Sequence, residues 1–226
     1  MSAANLVVVP GAVVTVTVRG PDRLTVGGAT GKVTARVTDR FGNPVANGTS
    51  VFFTTDLGAV APAVSQTRNG TAETTLTTGD RTGLATVRAV STGDRGGVVR
   101  VRFTAGPPQS LTLAAARPRL PVGGETTVVT ATLRDAFGNG VEDALIGLST
   151  TLGLLSVTEA RADADGTVTS TLRAGIRTGT ATVRATSGAL GEALEIPFVP
   201  GPPASIELAV LPDAIRVGGE ARAVAR

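Results

Sequence analysis

Asp163 and Asp165 lie two positions apart in this 226-residue sequence, and their carboxylates could bind a metal ion. Aspartates two positions apart and followed by a glycine are typical of the opening of a calcium-binding loop, where such carboxylates converge on the cation. No glutamate follows at the position that closes such a loop, and the equivalent stretch earlier in the chain carries Asn69-Gly70 instead. The pattern therefore favours an exposed β-turn, and calcium binding is the weaker interpretation.

Three further acidic residues and two asparagines also match the residue types of known sites. Glycoside hydrolysis uses two carboxyl groups, which Asp135, Glu142 and Asp143 could supply. The sequence has no Trp or Tyr to hold a sugar ring, so we interpret these acids as surface residues. Asn47 and Asn69 both begin the glycosylation sequon Asn-Gly-Thr, but Asn-Gly is also a turn dipeptide, and the turn is our interpretation.

The composition excludes most of the remaining chemistry. The chain has no His and no Cys, which removes the usual ligands of zinc, haem and iron–sulfur clusters together with imidazole and thiol catalysis. Ser and Thr hydroxyls remain, but no imidazole exists to take their protons. We therefore predict no catalytic residue, no cofactor-binding residue and no enzymatic activity.

The charge and hydropathy patterns do not favour a nucleic acid or a membrane. The net charge is only +3, and six Phe are the only aromatic residues, so base-stacking side chains and a dense basic cluster are lacking. The most apolar stretch, residues 6–18, is interrupted by Pro10-Gly11 and is too short to span a bilayer as a helix. We predict no nucleic-acid partner and no membrane insertion by this segment.

Alternation of apolar and polar residues indicates that β-strands position all of these side chains. Val33, Ala35 and Val37 alternate with polar neighbours, and the same period in 193–198 predicts that Phe198 points inward and Glu195 outward. Segment 56–66 is the candidate for an irregular seventh strand. The strands predicted for the first half are 14–19, 32–39, 49–54, 71–78, 82–90 and 97–104, with counterparts 95 or 96 residues later.

The chain is built from internal repeats with a period of 95 or 96 residues. The recurring motifs are Gly-Gly at 27–28, 123–124 and 218–219, Gly-Pro-Pro at 106–108 and 201–203, Asp-x-Phe-Gly-Asn at 39–43 and 135–139, and Ala-Thr-Val-Arg-Ala at 85–89 and 181–185. We predict two complete copies, repeat 1 at 11–105 and repeat 2 at 106–200, because a period of this length suits a domain with its own core.

Both ends of the chain match parts of further copies. Residues 1–10 are predicted to be the last strand of a preceding repeat, and residues 201–226 the first strands of a third, truncated one. We interpret the chain as a segment of a longer tandem array. The alternative, that the two end pieces complete each other between molecules, supplies too few strands for a seven-stranded sandwich.

The motifs in ranges 31–53 and 69–89 resemble the bacterial Ig-like group 1 repeat, which occurs in the intimin and invasin family of surface adhesins. The second copy carries the same pattern in 125–148 and 166–185, with Gly140 where the first copy has Pro44. The resemblance implies an all-β fold of tandem immunoglobulin-like Greek-key β-sandwiches at the bacterial cell surface. It also implies that such repeats form stalks, whereas the receptor-binding tip is usually a separate domain.

The resemblance and the loop composition together favour a structural spacer in a stalk, surface layer or filament. The alternative is an adhesion module that binds a host protein or a glycan directly. Binding loops usually carry Tyr, Trp and Arg anchors, whereas these loops are rich in Gly, Thr, Asn and Asp, so the spacer is the preferred interpretation. Phe41 and Phe137 could be contact residues for a partner, but we predict that each covers the end of its own core.

We predict that the main partners of each repeat are the neighbouring repeats of the same protein, joined to it by the two Gly-Pro-Pro linkers. Proline fixes φ and holds the preceding residue extended, so the linkers are predicted to be semi-rigid joints, with glycine hinges as the alternative. Repeat 1 has eleven basic and six acidic residues and repeat 2 seven and nine, so self-association into an array or filament is a further hypothesis. The linker residues are Gly106, Pro107, Pro108, Gly201, Pro202 and Pro203.

Overall fold

The computed structural model describes residues 9–203, 205–211, 214, 216–220 and 222–225, and almost all of its regular structure is β-strand. The strands of repeat 1 are β1 Thr15–Arg19, β2 Arg23–Thr25, β3 Thr30–Thr38, β4 Ser50–Thr55, β5 Ala59–Ala61, β6 Val64–Gln66, β7 Thr71–Thr77, β8 Gly83–Ser91 and β9 Arg95–Thr104. The strands of repeat 2 are β10 Ser110–Ala115, β11 Leu120–Pro121, β12 Thr126–Arg134, β13 Leu145–Thr150, β14 Leu154–Leu155, β15 Glu159–Arg161, β16 Thr167–Arg173, β17 Gly179–Ser187 and β18 Leu190–Val199.

Each repeat is a sandwich of two sheets with the strand order of an immunoglobulin-like domain. In repeat 1 the four-stranded sheet runs β1-β3-β7-β5 and the five-stranded sheet runs β2-β9-β8-β4-β6. Repeat 2 has the same two orders, β10-β12-β16-β14 and β11-β18-β17-β13-β15. Non-sequential neighbours within each sheet are the mark of Greek-key connections. The predicted all-β Ig-like fold class is confirmed.

The core of each sandwich comes from the inward register that the alternation predicts. In β3 the side chains of Val33, Ala35 and Val37 are fully buried, while their polar neighbours face outward. In β18 Ile196 and Phe198 are buried and Glu195 is exposed, as predicted. Because the two inner faces interdigitate, each repeat has its own hydrophobic core.

Two short-strand features differ from the prediction. Segment 56–66 holds two strands rather than one, because β5 pairs with β7 in one sheet and β6 pairs with β4 in the other. Pro62 lies between them, where the chain passes from sheet to sheet and needs no ladder N–H. β2 and β11 were not predicted, since strands of two or three residues carry no periodic signal and form only by parallel pairing with β9 and β18.

Beyond repeat 2, the described residues include an antiparallel pair, β19 Leu208–Leu211 and β20 Arg222–Ala225. Residues 1–8 lie outside the described residues, so the prediction that 1–10 form a last strand stays a prediction. Across the described ranges, no helix has the length and apolar character needed to cross a membrane.

Candidate functional site at the joint between the repeats

The Asp-x-Phe-Gly-Asn motif of each repeat folds into a loop held by its own aspartate. Asp135 Oδ1 accepts hydrogen bonds from the backbone N–H groups of Phe137, at 2.9 Å, and Asn139, at 2.8 Å. Asp39 does the same for Phe41 and Asn43, both at 2.9 Å. A short acceptor two residues before a turn satisfies N–H groups that the β-ladder leaves free, which is why aspartate occupies this position.

The same aspartate also holds the linker. The backbone N–H of Gly106 donates to Asp135 Oδ2 at 3.0 Å, and that of Gly11 donates to Asp39 Oδ2 at 3.3 Å. Burial raises the pKa of Asp135, but bonds from the Asn139 side chain and from the N–H groups of Gly106, Asn139 and Phe137 outweigh it, so the pKa is lowered. The glycine of the linker is therefore tied to the loop rather than left free as a hinge.

Asn139 extends from this loop to the preceding repeat. Its Nδ2 donates to the carbonyl oxygen of Asp80 at 2.8 Å, and its Oδ1 accepts from the N–H of Thr82 at 3.3 Å. Both Asp80 and Thr82 belong to the loop before β8 of repeat 1. One side chain that donates to and accepts from the same backbone segment sets the orientation of the two repeats as well as their distance.

Phe137 packs against the first glycine of the Gly-Gly turn in repeat 1. Gly27 has φ +90°, and a Cβ placed on it would lie 2.9 Å from Cε2 of Phe137, so the ring occupies the space of a missing side chain. Phe137 is 49% exposed and Phe41 is 72% exposed. The prediction that each Phe covers the end of its own core is wrong: neither ring belongs to the residues packed on its core, and Phe137 instead meets the neighbouring repeat.

An ion pair at the rim adds a fourth contact to the joint. Arg102, at the end of β9, donates to Glu142 Oε2 of repeat 2 at 2.7 Å, and both side chains are about half exposed. Pairs of this kind contribute little to stability, so we assign Arg102 and Glu142 to orientation rather than affinity. Glu142 thus takes part in an ion pair across the joint, a different role from the catalytic carboxyl group considered in the sequence analysis.

The weak calcium candidates form a turn of their own. Asp163 Oδ1 accepts from the N–H groups of Asp165 and Thr167, both at 2.9 Å, and its Oδ2 accepts from Thr167 Oγ1 at 2.6 Å. The bonds from the Thr167 side chain and backbone, followed by that from Asp165, lower the pKa of Asp163 despite some desolvation. No group of three or more His, Cys, Asp or Glu within the described ranges could hold a metal ion.

The sequon asparagines also serve a turn. Asn47 Oδ1 accepts a hydrogen bond from the N–H of Asn69 at 2.7 Å, so one sequon side chain is engaged by the backbone of the other. This contact ties two adjacent loops of repeat 1 together. It agrees with the interpretation of both Asn-Gly pairs as turn residues.

The Phe137–Gly27 contact can be isolated by a matched pair of substitutions. Gly27→Ala and Gly123→Ala both place a side chain at a positive φ, +90° and +103°, but nothing lies within 4 Å of a Cβ at Gly123. Both should destabilise their own repeat by about 1–2 kcal/mol. Only Gly27→Ala should also displace Phe137 and broaden the distance distribution between spin labels on the two repeats. Equal broadening in both variants would contradict a role for Phe137 in the joint.

The family model described as "Invasin, domain 3" matches residues 12–106 and again residues 108–201. A structure of InvD from Yersinia pseudotuberculosis superposes with a TM-score of 0.66 at 25% identity, covering 87% of this chain and 62% of that one. The adhesin FdeC of Escherichia coli has a TM-score of 0.67 at 20% identity, covering 90% of this chain and 70% of that one, which shows the fold alone.

No curated protein matches the chain in sequence. The chain spans 62% of the length of the InvD structure, so the activity of the larger protein cannot be assigned to this chain from the match. The resemblance to Ig-like domains of the intimin and invasin group is confirmed by the family match and by the InvD structure. Since the two matched ranges cover most of the sequence, the chain belongs to the Invasin domain 3 family, whose model it matches twice in succession.

Proposed function

We propose that this chain is a stiff spacer in the stalk of an extracellular bacterial surface protein. Its family is that of surface adhesin domains, which supports an adhesin-related module at the cell surface. The finer assignment, that its work is to hold another part of the protein at a distance, rests on the joint between the repeats. The neighbouring repeats of the same chain are then its main partners.

The observation that carries the proposal is the number of independent contacts across so short a linker. Only residues 105–109 separate β9 from β10, and Pro107 and Pro108 restrict the backbone there. Asp135 holds Gly106, while Asn139 and Phe137 contact repeat 1 directly. A flexible tether makes no such contacts and lets domains reorient freely. These contacts therefore support one preferred orientation of the two repeats.

The components of this joint recur at other positions in the chain. Asp39 holds Gly11 as Asp135 holds Gly106, and Gly123, like Gly27, has a positive φ. Gly-Pro-Pro also returns at 201–203. Repetition of one joint geometry would make consecutive repeats add up to a regular, extended projection, as in other stacked-repeat proteins.

The test measures the distance between the two repeats in solution. The chain has no cysteine, so Glu73→Cys and Thr169→Cys introduce a single pair of spin labels at exposed, equivalent positions of β7 and β16. A stiff joint should give one narrow distance distribution by double electron–electron resonance, and small-angle scattering should show one elongated particle.

Variants of the joint supply the comparison. Replacing Pro107 by Gly and Pro108 by Ser should broaden the distance distribution and leave the melting of each repeat unchanged. Asn139→Ala should also broaden the distribution, and it should slightly destabilise repeat 2 because the Asn139 side chain donates to Asp135. Leu154→Ser, an exposed change far from the linker in sequence, should alter neither measurement. A broad distribution in the parent protein, with folded-back pairs of repeats, would overturn the spacer proposal.

A further inference from the structure

The five-stranded sheet of repeat 1 exposes a contiguous apolar row on its outward side, which we call the outer face. Registers across the sheet place Gly96 beside Val90, Val90 beside Phe52, and Phe52 beside Val64. Phe52 is 53% exposed, Val64 is 47% exposed, and Val98, on the next outward position of β9, is 56% exposed. Single exposed apolar residues are ordinary, but a row that crosses four strands is a candidate contact surface.

The joint does not cover this row. Along β9, Gly96 lies six residues before Arg102, which contacts repeat 2, and that separation is about 20 Å in a strand. The row therefore lies at the end of the sheet that is remote from the described joint, and repeat 2 does not explain why its side chains are apolar.

Arginine is the only charged residue type on the outer face. The outward positions of its strands carry Arg23, Arg88, Arg100 and Arg102, and none of them, all within the described range 23–104, carries Asp or Glu. The absence of a side chain at Gly96 leaves room for Arg88: a Cβ there would lie 3.7 Å from Arg88 Nε and 3.3 Å from Val90 Cγ2. A guanidinium thus lies directly beside the apolar row.

Two carboxylates of repeat 1 lie at the ends of strands of this sheet, beyond the outward positions of the face. Asp56 follows β4, and its Oδ1 accepts a hydrogen bond from the N–H of Thr86 at 2.7 Å. Asp94 lies in the turn before β9. Neither forms an ion pair with Arg88 or Arg100 within the described residues. Arg102 is paired with Glu142 at the joint, so the charge available to a partner on the outer face is that of Arg88 and Arg100, which form no ion pair within the described residues.

Repeat 2 has the same sheet with a different outward surface. The positions of Phe52, Val64, Val90, Val98 and Arg100 are taken there by Gly147, Glu159, Thr186, Ala193 and Glu195. Both faces sit on the same scaffold and both keep an arginine, Arg88 in one and Arg184 in the other. The apolar row and the excess of arginine are thus a property of repeat 1 and not a requirement of the fold.

We propose that the outer face of repeat 1 binds an acidic protein segment that also carries apolar side chains. Aromatic residues and Arg are enriched at the centres of protein interfaces, and Asp and Glu are depleted there, which is the composition of this face. Charge complementarity selects an acidic partner. A polyanionic glycan would contact only the arginines and would leave the apolar row without a function. A second copy of the outer face would bring arginines opposite arginines, and their like charges would repel.

The size of the face sets the affinity to look for. Five strands are about 19 Å across and β4 is about 20 Å long, so the face is smaller than one side of a standard interface of about 800 Å². We expect dissociation constants in the micromolar range for a peptide probe.

The experiment selects random twelve-residue peptides displayed on phage against the full chain and then measures the best synthetic peptides by calorimetry. The proposal expects peptides enriched in Asp and Glu together with aromatic or aliphatic residues. Binding should weaken at least tenfold in each of three variants, Phe52→Thr, Val64→Glu and Arg100→Glu. The last two introduce the glutamates that repeat 2 carries at the equivalent positions. Arg184→Glu, the matched control on repeat 2, should leave binding unchanged.

Three outcomes would overturn the proposal. The first is that selection yields no peptide with this composition. The second is that Phe52→Thr and Val64→Glu bind as the parent does while heparin competes fully, which would indicate a site for polyanions. The third is sedimentation of the chain as a dimer that Phe52→Thr dissociates, which would make a second copy the occupant. The spin-label distances that test the spacer should not change in any of these variants, so the two proposals can fail separately.

Discussion

Phe198→Ala should lower the free energy of unfolding of repeat 2 by about 3–5 kcal/mol, because it removes a large buried ring and the surrounding backbone cannot move in to fill the cavity. Phe198 is 2% exposed and belongs to the cluster that includes Leu120, Leu172 and Ile196. Its ring lies under the turn at Gly153, where a Cβ would be only 3.0 Å from Cζ. A rigid turn on one side and a paired strand on the other would leave a cavity in the variant.

Chemical denaturation of the full chain measures this change, and hydrogen exchange assigns it to repeat 2. Glu195→Ala is the matched control, because it lies three residues earlier on the same strand and faces outward. It should change the free energy of unfolding by less than about 0.5 kcal/mol. Equal effects of the two substitutions would mean that the register of β18 is shifted by one residue, which exchanges the two faces.

Asp135→Ala should lower the free energy of unfolding of repeat 2 by about 1–3 kcal/mol, because it leaves backbone donors without an acceptor. The N–H groups of Gly106, Phe137 and Asn139 all donate to this carboxylate. The Gly106 amide should then exchange with solvent faster, while the Gly11 amide, held by Asp39, should keep its rate. Unchanged exchange at Gly106 would contradict the role of Asp135 in holding the linker.

The same substitution should remove part of the acid sensitivity of repeat 2. The pKa of Asp135 is lowered in the folded chain, because its hydrogen bonds outweigh the opposing effect of burial. The stabilisation is therefore complete above the unfolded value, near pH 4, and is lost as the pH falls through the lower folded value. A denaturation series from pH 7 to pH 2 should show a smaller acid-induced loss in Asp135→Ala than in the parent.

Asp163→Ala is the control for Asp135→Ala, because it removes a carboxylate that holds a turn but does not hold the linker. Asp163 accepts the same kind of turn hydrogen bonds, from Asp165 and Thr167, but no hydrogen bond from the linker. Its removal should leave the exchange of the Gly106 amide and the distance between the repeats unchanged. Any change in these two measurements would mean that the Asp163 turn, which packs against Gly140 beside Asn139, also supports the joint.

Alternation and turn chemistry were sufficient to predict the sandwich from the amino-acid sequence. Val33, Ala35 and Val37 face the core because a strand places alternate side chains on opposite sides, and one apolar register allows only one orientation. Asn-Gly and Asp-Gly pairs end the strands because such residues tolerate positive φ, as Asn69 does with φ 50°. These effects are local, so a single sequence contains them.

The joint could be predicted only in part. The recurrence of Asp-x-Phe-Gly-Asn and of Gly-Gly in the sequence marks the residues, and the prolines indicate a restricted linker. The sequence alone led to the wrong place for Phe137, because an aromatic ring beside a hairpin can bury its surface on its own core or on a neighbour, and the local sequence is the same in both cases. Which surface it meets depends on how one repeat is placed on the next, and that placement brings together Gly27 and Phe137, 110 positions apart.

The all-β fold, the period of the repeats, the inward register of long strands such as β3 and β18, and the exclusion of imidazole and thiol chemistry all follow from the amino-acid sequence alone. The short parallel strands, the partners of Asn139 and the alignment of Phe52, Val64 and Val90 into one row are seen only in the folded chain. One cause accounts for all three. Each depends on pairing between segments distant in sequence, and neither periodicity nor local propensity records which distant segments meet.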